Sequence, residues 1–252
     1  MFATSRISIT TACALVVALI VPHAVLAAER RFTYSYETTT APKGAWELEQ
    51  WFTWKGANDE DAFTFRHELE YGLSDSLQLG FYLSDWQLTR PHNGGSETEW
   101  SSAGAEVIYS MSYPTKDSVG SALYGEFKIG PEVFAFESKL LLQKNFGPLT
   151  LVYNFVLEAE WEGDHYEEDV GVIENTVGLS YQFTPGLFLG AEAMHEVEFE
   201  GWQDAGPHVV GAGPNISFRK GSFFATVTGL FQFSNVDDEP DHQIRLIAGF
   251  HF

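Results

Sequence analysis

The residues in this chain best suited to chemistry are glutamates that recur two apart: Glu47 with Glu49, Glu68 with Glu70, Glu158 with Glu160, and Glu196 with Glu198. Residues two apart on a strand share a face, so each pair sets two carboxylates side by side. Such neighbours can raise one another's pKa for acid–base work, or hold a divalent cation between oxygen ligands. A polar wall lined with glutamate produces the same pairs with no catalytic or metal role. The lining role is the expectation adopted here, with no catalytic residue, cofactor or metal.

The histidines point the same way. His67, His92, His165, His195, His208, His242 and His251 are scattered, and no His-x-Ser-Asn-Gly stretch like that of lipid-cleaving barrels is present. An enzyme is therefore not expected, and a surface or lumenal hydrolase ranks third among the readings. The acidic stretches 58–61, 167–169 and 237–241 could bind calcium or cations that bridge lipopolysaccharide, although solvated loops have the same composition.

The elements that must carry the glutamates are strands. From Phe63 the odd positions read Phe63, Phe65, His67, Leu69, Tyr71 and Leu73, and the even positions Thr64, Arg66, Glu68 and Glu70. This is a period of two. Similar alternation predicts twelve strands, at 45–54, 62–73, 76–86, 98–112, 119–129, 133–145, 149–161, 170–183, 187–199, 208–218, 223–233 and 243–252. Their links alternate between tight turns (72–75, 113–118, 146–148, 184–186, 219–222) and longer polar loops (55–61, 87–97, 163–169, 201–207, 235–242), with 130–132 a short exception. Short turns on one side and long loops on the other are characteristic of outer-membrane barrels. The expected fold is all-β, a transmembrane antiparallel up-and-down β-barrel with an even strand number near twelve.

Residues 1–27 combine Arg6, an apolar run over 7–21 and a small-residue exit, the features of a secretory signal peptide cleaved after Ala27. Residues 28–44 are expected to form a periplasmic or lumenal lead-in, although Phe32, Tyr34 and Tyr36 alternate as a strand would; the barrel is expected over 45–252. The lone cysteine, Cys13, falls within the signal, which leaves no disulfide framework. With 14 Lys+Arg against 35 Asp+Glu, nucleic acid is excluded as a partner, and 15% aromatic residues exclude a disordered acidic chain.

Alternation alone also fits soluble β-sandwiches and lipocalin-like barrels, so the content of the two faces decides. The faces assigned outward hold Phe, Leu, Val, Ile, Ala, Tyr and Trp, with charge only at Asp85 and Lys144 near strand ends. Aromatics gather at strand ends, among them Trp46, Trp54, Tyr71, Trp161, Phe183 and Phe250, where lipid headgroups would meet them. The opposite face supplies the proposed lumen lining: Arg66, Glu68, Glu70, Glu106, Glu126, Lys128, Glu158, Glu160, Glu174, Glu192, Glu196 and Arg245. Such a lining favours cations by its field, unless the groups pair with one another and close the barrel. Tyr82, Phe188, Tyr124 and Trp86 are also expected to face inward, where they could contact a small solute.

The last strand places Ile244, Leu246, Ala248, Phe250 and Phe252 on one face and resembles the C-terminal signal read by the barrel insertion machinery. Four further stretches, APKGAWELEQW at 41–51, YGLSDSLQLGFYL at 71–83, KNFGPLTLVYN at 144–154 and GPNISFRKGSFFATVTGLF at 213–231, resemble transporter-like barrels of the phenol-degradation meta-pathway type and related barrel families. That resemblance implies an outer-membrane barrel, in contact with lipid and lipopolysaccharide, that passes small aromatic or hydrophobic solutes. A closed barrel with a structural or surface-interaction role is the alternative.

Overall fold

The computed structural model describes residues 30–163, 165–237 and 239–252, so the expected signal peptide lies outside the described residues. Strands β1 (Trp46–Gly56), β2 (Glu60–Ser74), β3 (Leu77–Pro91), β4 (Glu97–Ser112), β5 (Gly120–Ile129), β6 (Val133–Phe146) and β7 (Leu149–Glu162) follow in order. After them come β8 (Glu168–Thr184), β9 (Leu187–Glu200), the two-residue β10 (Asp204–Ala205), β11 (Val209–Lys220), β12 (Phe223–Gln232) and β13 (His242–His251). Each long strand pairs antiparallel with its neighbours, β8 pairs β9, and β13 pairs β1. The result is a closed barrel of twelve strands, with β10 a stub on β9. Closure leaves no sheet edge, as a lipid surroundings requires of backbone polar groups.

The seam is made by the chain end. Phe252 N donates to Trp46 O at 2.8 Å, and Trp46 N donates to Phe252 O at 2.9 Å, so the terminal residue continues the β1–β13 ladder. The tight turns β6–β7 and β11–β12 place Gly147 and Gly221 at φ 62° and 63°, where a Cβ would be strained.

Burial is inverted relative to a soluble domain. Glu68 and Thr228 are 0% exposed, whereas Leu83 is 57% and Phe136 53% exposed. Ring pairs such as Trp46–Tyr71 at 4.5 Å and Phe223–Phe250 at 5.1 Å band the turn end, while Phe134–Trp161 at 5.3 Å lies at the loop end. An apolar belt between two aromatic bands is the surface that lipid selects. Val177, 42% exposed in the middle of β8, tests this: Val177→Arg is expected to destabilise the folded barrel by about 2–4 kcal/mol in a urea titration in vesicles.

Strand boundaries fall close to those predicted, with one notable difference. β3 runs on to Pro91, so half of the predicted loop 87–97 is strand. A bulge in β3 between Tyr82 and Asp85 also inverts its inside–outside phase. Asp85, expected outward, turns in and accepts from Arg66; Trp86, expected inward, faces out opposite Phe65 and is 42% exposed. The outer face thereby loses a charge that lipid would penalise.

Residues 30–45 form no strand. They follow the inner wall at the turn end, touching β11 and β12 first and β3, β2 and β1 last. Ser217 and Thr226 donate to Arg30 O; Glu192 on β9 accepts from Thr33 N, Tyr34 N and Ser35 N at 2.7–2.9 Å. Asn154 on β7 accepts from Tyr36 N (2.6 Å), Gln143 on β6 from Thr38 N (3.0 Å), and Gln78 on β3 from Ala41 N (2.6 Å). The segment is therefore a ring seated within the barrel, with backbone donors satisfied by one polar side chain from each of β9, β7, β6 and β3, as burial demands.

Candidate functional site

Register sets the geometry of the interior. Reading across the ladder from β1 to β7, Glu47, Glu70, Gly80, Glu106, Glu126, Glu137 and Glu158 stand opposite one another in succession. Adjacent strands lie roughly 4.8 Å apart, so six carboxylates form one acidic row, broken only at Gly80 on β3. Because barrel strands are staggered by shear, the row climbs from the turn end at Glu47 to the loop-end half of β7 at Glu158. The neighbouring row carries Glu49, Glu68, Tyr82, Gly104, Lys128, Ala135 and Glu160.

The row divides into two levels. At the ring's level Glu68, Glu70, Glu106 and Glu192 are each at most 3% exposed. Above the ring, a cavity of about 540 Å³ reaches the loop end, with Lys55, Gln87, Gln243 and Glu239 near its mouth. Arg66, Glu126, Lys128, Glu160, Glu174, Glu196 and Arg245 line it, and Tyr34, Tyr36 and Trp51 lie at its floor. Glu158 is not among the lining residues, but its carboxylate meets the lining Lys128 Nζ at 3.2 Å.

Cations compensate the upper level. Lys128 Nζ also sits 3.3 Å from Glu126, and Lys139 Nζ 2.9 Å from Glu137. Glu126 further accepts from the hydroxyls of Tyr82 and Tyr124, whose oxygens are 2.9 Å apart. Arg66 grips Asp85 through Nε and Nη2 at 2.9–3.1 Å while its guanidinium lies 3.9 Å from the Tyr82 ring. Arg245 stacks 4.1 Å from the Tyr34 ring and donates to Thr33 O at 3.2 Å, which ties wall to ring. Bidentate pairing and aromatic stacking hold these cations rigidly. Asp85→Asn removes one partner of a largely buried pair and is expected to lower stability by about 2–3 kcal/mol in urea titrations.

Of the inward aromatics expected from sequence, Tyr82, Tyr124 and Phe188 are each at most 3% exposed within the barrel. Phe188 packs beside Arg31, 5.2 Å from its guanidinium, and so belongs to the ring's seat. Of the residues that hold the ring, the sequence placed Glu192 on the inner face but singled out none of the others. Gln78, Gln143 and Asn154 are uncharged and isolated in sequence, and the signal that could have exposed them is a polar residue on the inner face of almost every strand.

The outer face also carries polar contacts. His67 Nδ1 lies 2.5 Å from Gln50 Oε1, and Tyr153, Asn175, His195 and His208 form a chain that includes a 2.8 Å His–His contact. Among the described residues no serine, threonine or cysteine side chain hydrogen-bonds to either group.

Among solved structures, the COG4313 outer membrane channel from Pseudomonas putida F1 is similar over 88% of this chain and 100% of its own, at 12% identity and TM-score 0.62. A NanC porin matches at 8% identity and TM-score 0.55 over 81% and 98% of the two chains. A KdgM porin matches at 11% identity and TM-score 0.51 over 82% and 99%. At such identities the likeness is one of fold, an outer-membrane-type barrel. No curated protein matches the sequence. A family model does match, over residues 24–245, and it is that of a family of unknown function (DUF6662). Spanning most of the chain, that match shows that this protein belongs to the DUF6662 family.

Proposed function

We propose that this protein is an outer-membrane barrel that gives small solutes a passive, cation-favouring path, narrowed at the turn end by the ring of residues 30–45. The observation that carries this reading is the acidic row climbing the inner wall from Glu47 to Glu158. Carboxylates at strand spacing offer a cation successive points of attraction, and a low-dielectric wall focuses their field. The cavity supplies a vestibule on the loop side. The fold shared with proteins described as an outer membrane channel and as porins supports the reading.

Solute class follows from the vestibule. Its floor of Tyr34, Tyr36 and Trp51, with Arg66 and Arg245 against the rings, suits small planar or aromatic solutes, in keeping with the resemblance to phenol-degradation barrels. The long polar loops then face outside, and the seam at Phe252 faces the periplasm, where the insertion machinery would read it.

One observation favours a closed barrel instead: the ring's hydrogen bonds run around most of the inner wall, with Phe32 at 0% exposure. Purified protein in planar bilayers separates the two. Discrete conductance steps are expected, and absence of current at every voltage and salt concentration would leave the closed barrel.

A further inference from the structure

At the ring's level the acidic row carries a surplus of charge that the neighbouring cations do not match. One carboxylate oxygen from each of Glu49, Glu68 and Glu70 lies within 4.8 Å of the other two. Glu49 accepts from Trp51 Nε1 at 2.7 Å and faces Arg30 Nε at 3.6 Å. Glu68 differs: it is 0% exposed, and neither of its oxygens has a hydrogen-bond partner. From β4, Glu106 Oε1 also lacks one. The two glutamates converge over Gly80, where a Cβ would lie 2.8 Å from Glu68 Oε1 and 2.5 Å from Glu106 Cγ. Beside them is a cavity of about 20 Å³ bounded by Arg30, Glu47, Glu49, Glu70 and Gln78, enough for one water-sized occupant.

Buried ionised carboxylates without partners must be neutralised by a proton or a cation. We propose that Glu49, Glu68 and Glu70 bind one calcium ion where the ring meets β1 and β2, with Glu106 and Glu47 adding to its field. The donors are all hard oxygens, which excludes thiophilic metals. Calcium accepts oxygen ligands at about 2.3–2.6 Å in flexible geometry, whereas magnesium demands a near-ideal octahedron with several retained waters, for which a cavity of about 20 Å³ has no room. The ion neutralises Glu68 and fastens the base of the ring to the wall, and its binding does not depend on whether the barrel conducts.

The test uses the full barrel folded in detergent, stripped with chelator, then titrated with CaCl2 by calorimetry and with TbCl3 by luminescence. Trp51 bonds to Glu49, so terbium in the site takes its excitation from that indole. About one calcium equivalent is expected, with a raised melting temperature and sensitised terbium emission that CaCl2 displaces at roughly tenfold lower concentration than MgCl2. Glu68→Gln should lose the equivalent. Trp51→Phe combined with Tyr36→Phe should keep it and lose the emission, which provides a reading should Glu68→Gln not fold. Wild-type protein that takes up protons but no calcium would overturn the proposal, as would a calcium equivalent that survives Glu68→Gln. Emission that survives Trp51→Phe combined with Tyr36→Phe would do the same, since neither ring beside the site would then supply the excitation.

Discussion

Glu192→Ala is expected to release the ring and raise conductance several-fold. One carboxylate accepts from three consecutive backbone N–H groups, Thr33, Tyr34 and Ser35, and also from Thr228 and Asn215. Leaving buried donors unmatched costs about 1–3 kcal/mol each, so the ring loses several kcal/mol, while the barrel's own ladders do not depend on it. Release of the segment is therefore expected before the barrel unfolds. Glu192→Gln keeps an acceptor oxygen and should give a smaller rise. Single-channel recording paired with limited proteolysis of residues 30–45 reads both effects. Wild-type conductance together with a protected segment in the alanine variant would show that the ring does not limit passage.

Gly72→Val is expected to destabilise the barrel strongly. A Cβ there would stand 2.1 Å from Pro42 O and 2.6 Å from Ala41 O, both backbone atoms of the ring. The glycine also holds the segment's exit through Gly72 N to Ala45 O (3.0 Å) and Gly44 N to Gly72 O (2.7 Å). Neither oxygen can yield without moving the chain, so a loss of about 3 kcal/mol or more is expected, at the upper end of overpacking costs. Gly178 provides the comparison. A Cβ there would meet the Phe32 ring at 2.6 Å, and a ring can turn aside, so Gly178→Ala should cost less. Urea midpoints in vesicles rank the two. A valine variant as stable as wild type would mean that the ring is not seated against β2.

Much of this architecture can be read from sequence because lipid and lumen impose opposite chemistries on alternate residues. The Phe63–Leu73 alternation gives β2 both its period and its faces, and the alternation of Ile244, Leu246, Ala248 and Phe250 does the same for β13, which meets β1 at the seam. The β3 bulge left no such sign. No glycine or proline marks residues 83–85, so the alternation was carried through them and the orientations of Asp85 and Trp86 came out exchanged. The ring was hidden for a different reason. Phe32, Tyr34 and Tyr36 alternate like a strand, and their partners Asn154 and Glu192 lie more than a hundred residues away, on strands whose proximity only closure creates. The individual glutamates were visible, but their alignment into one row depends on the stagger between strands, which alternation does not encode.

The central claim, a passive path that prefers cations, is tested most directly by the reversal potential of wild-type barrels in a planar bilayer with a KCl gradient. A potential of the sign set by potassium is expected, moving toward zero when Glu158 and Glu160 are both changed to glutamine. A potential of the sign set by chloride would contradict it.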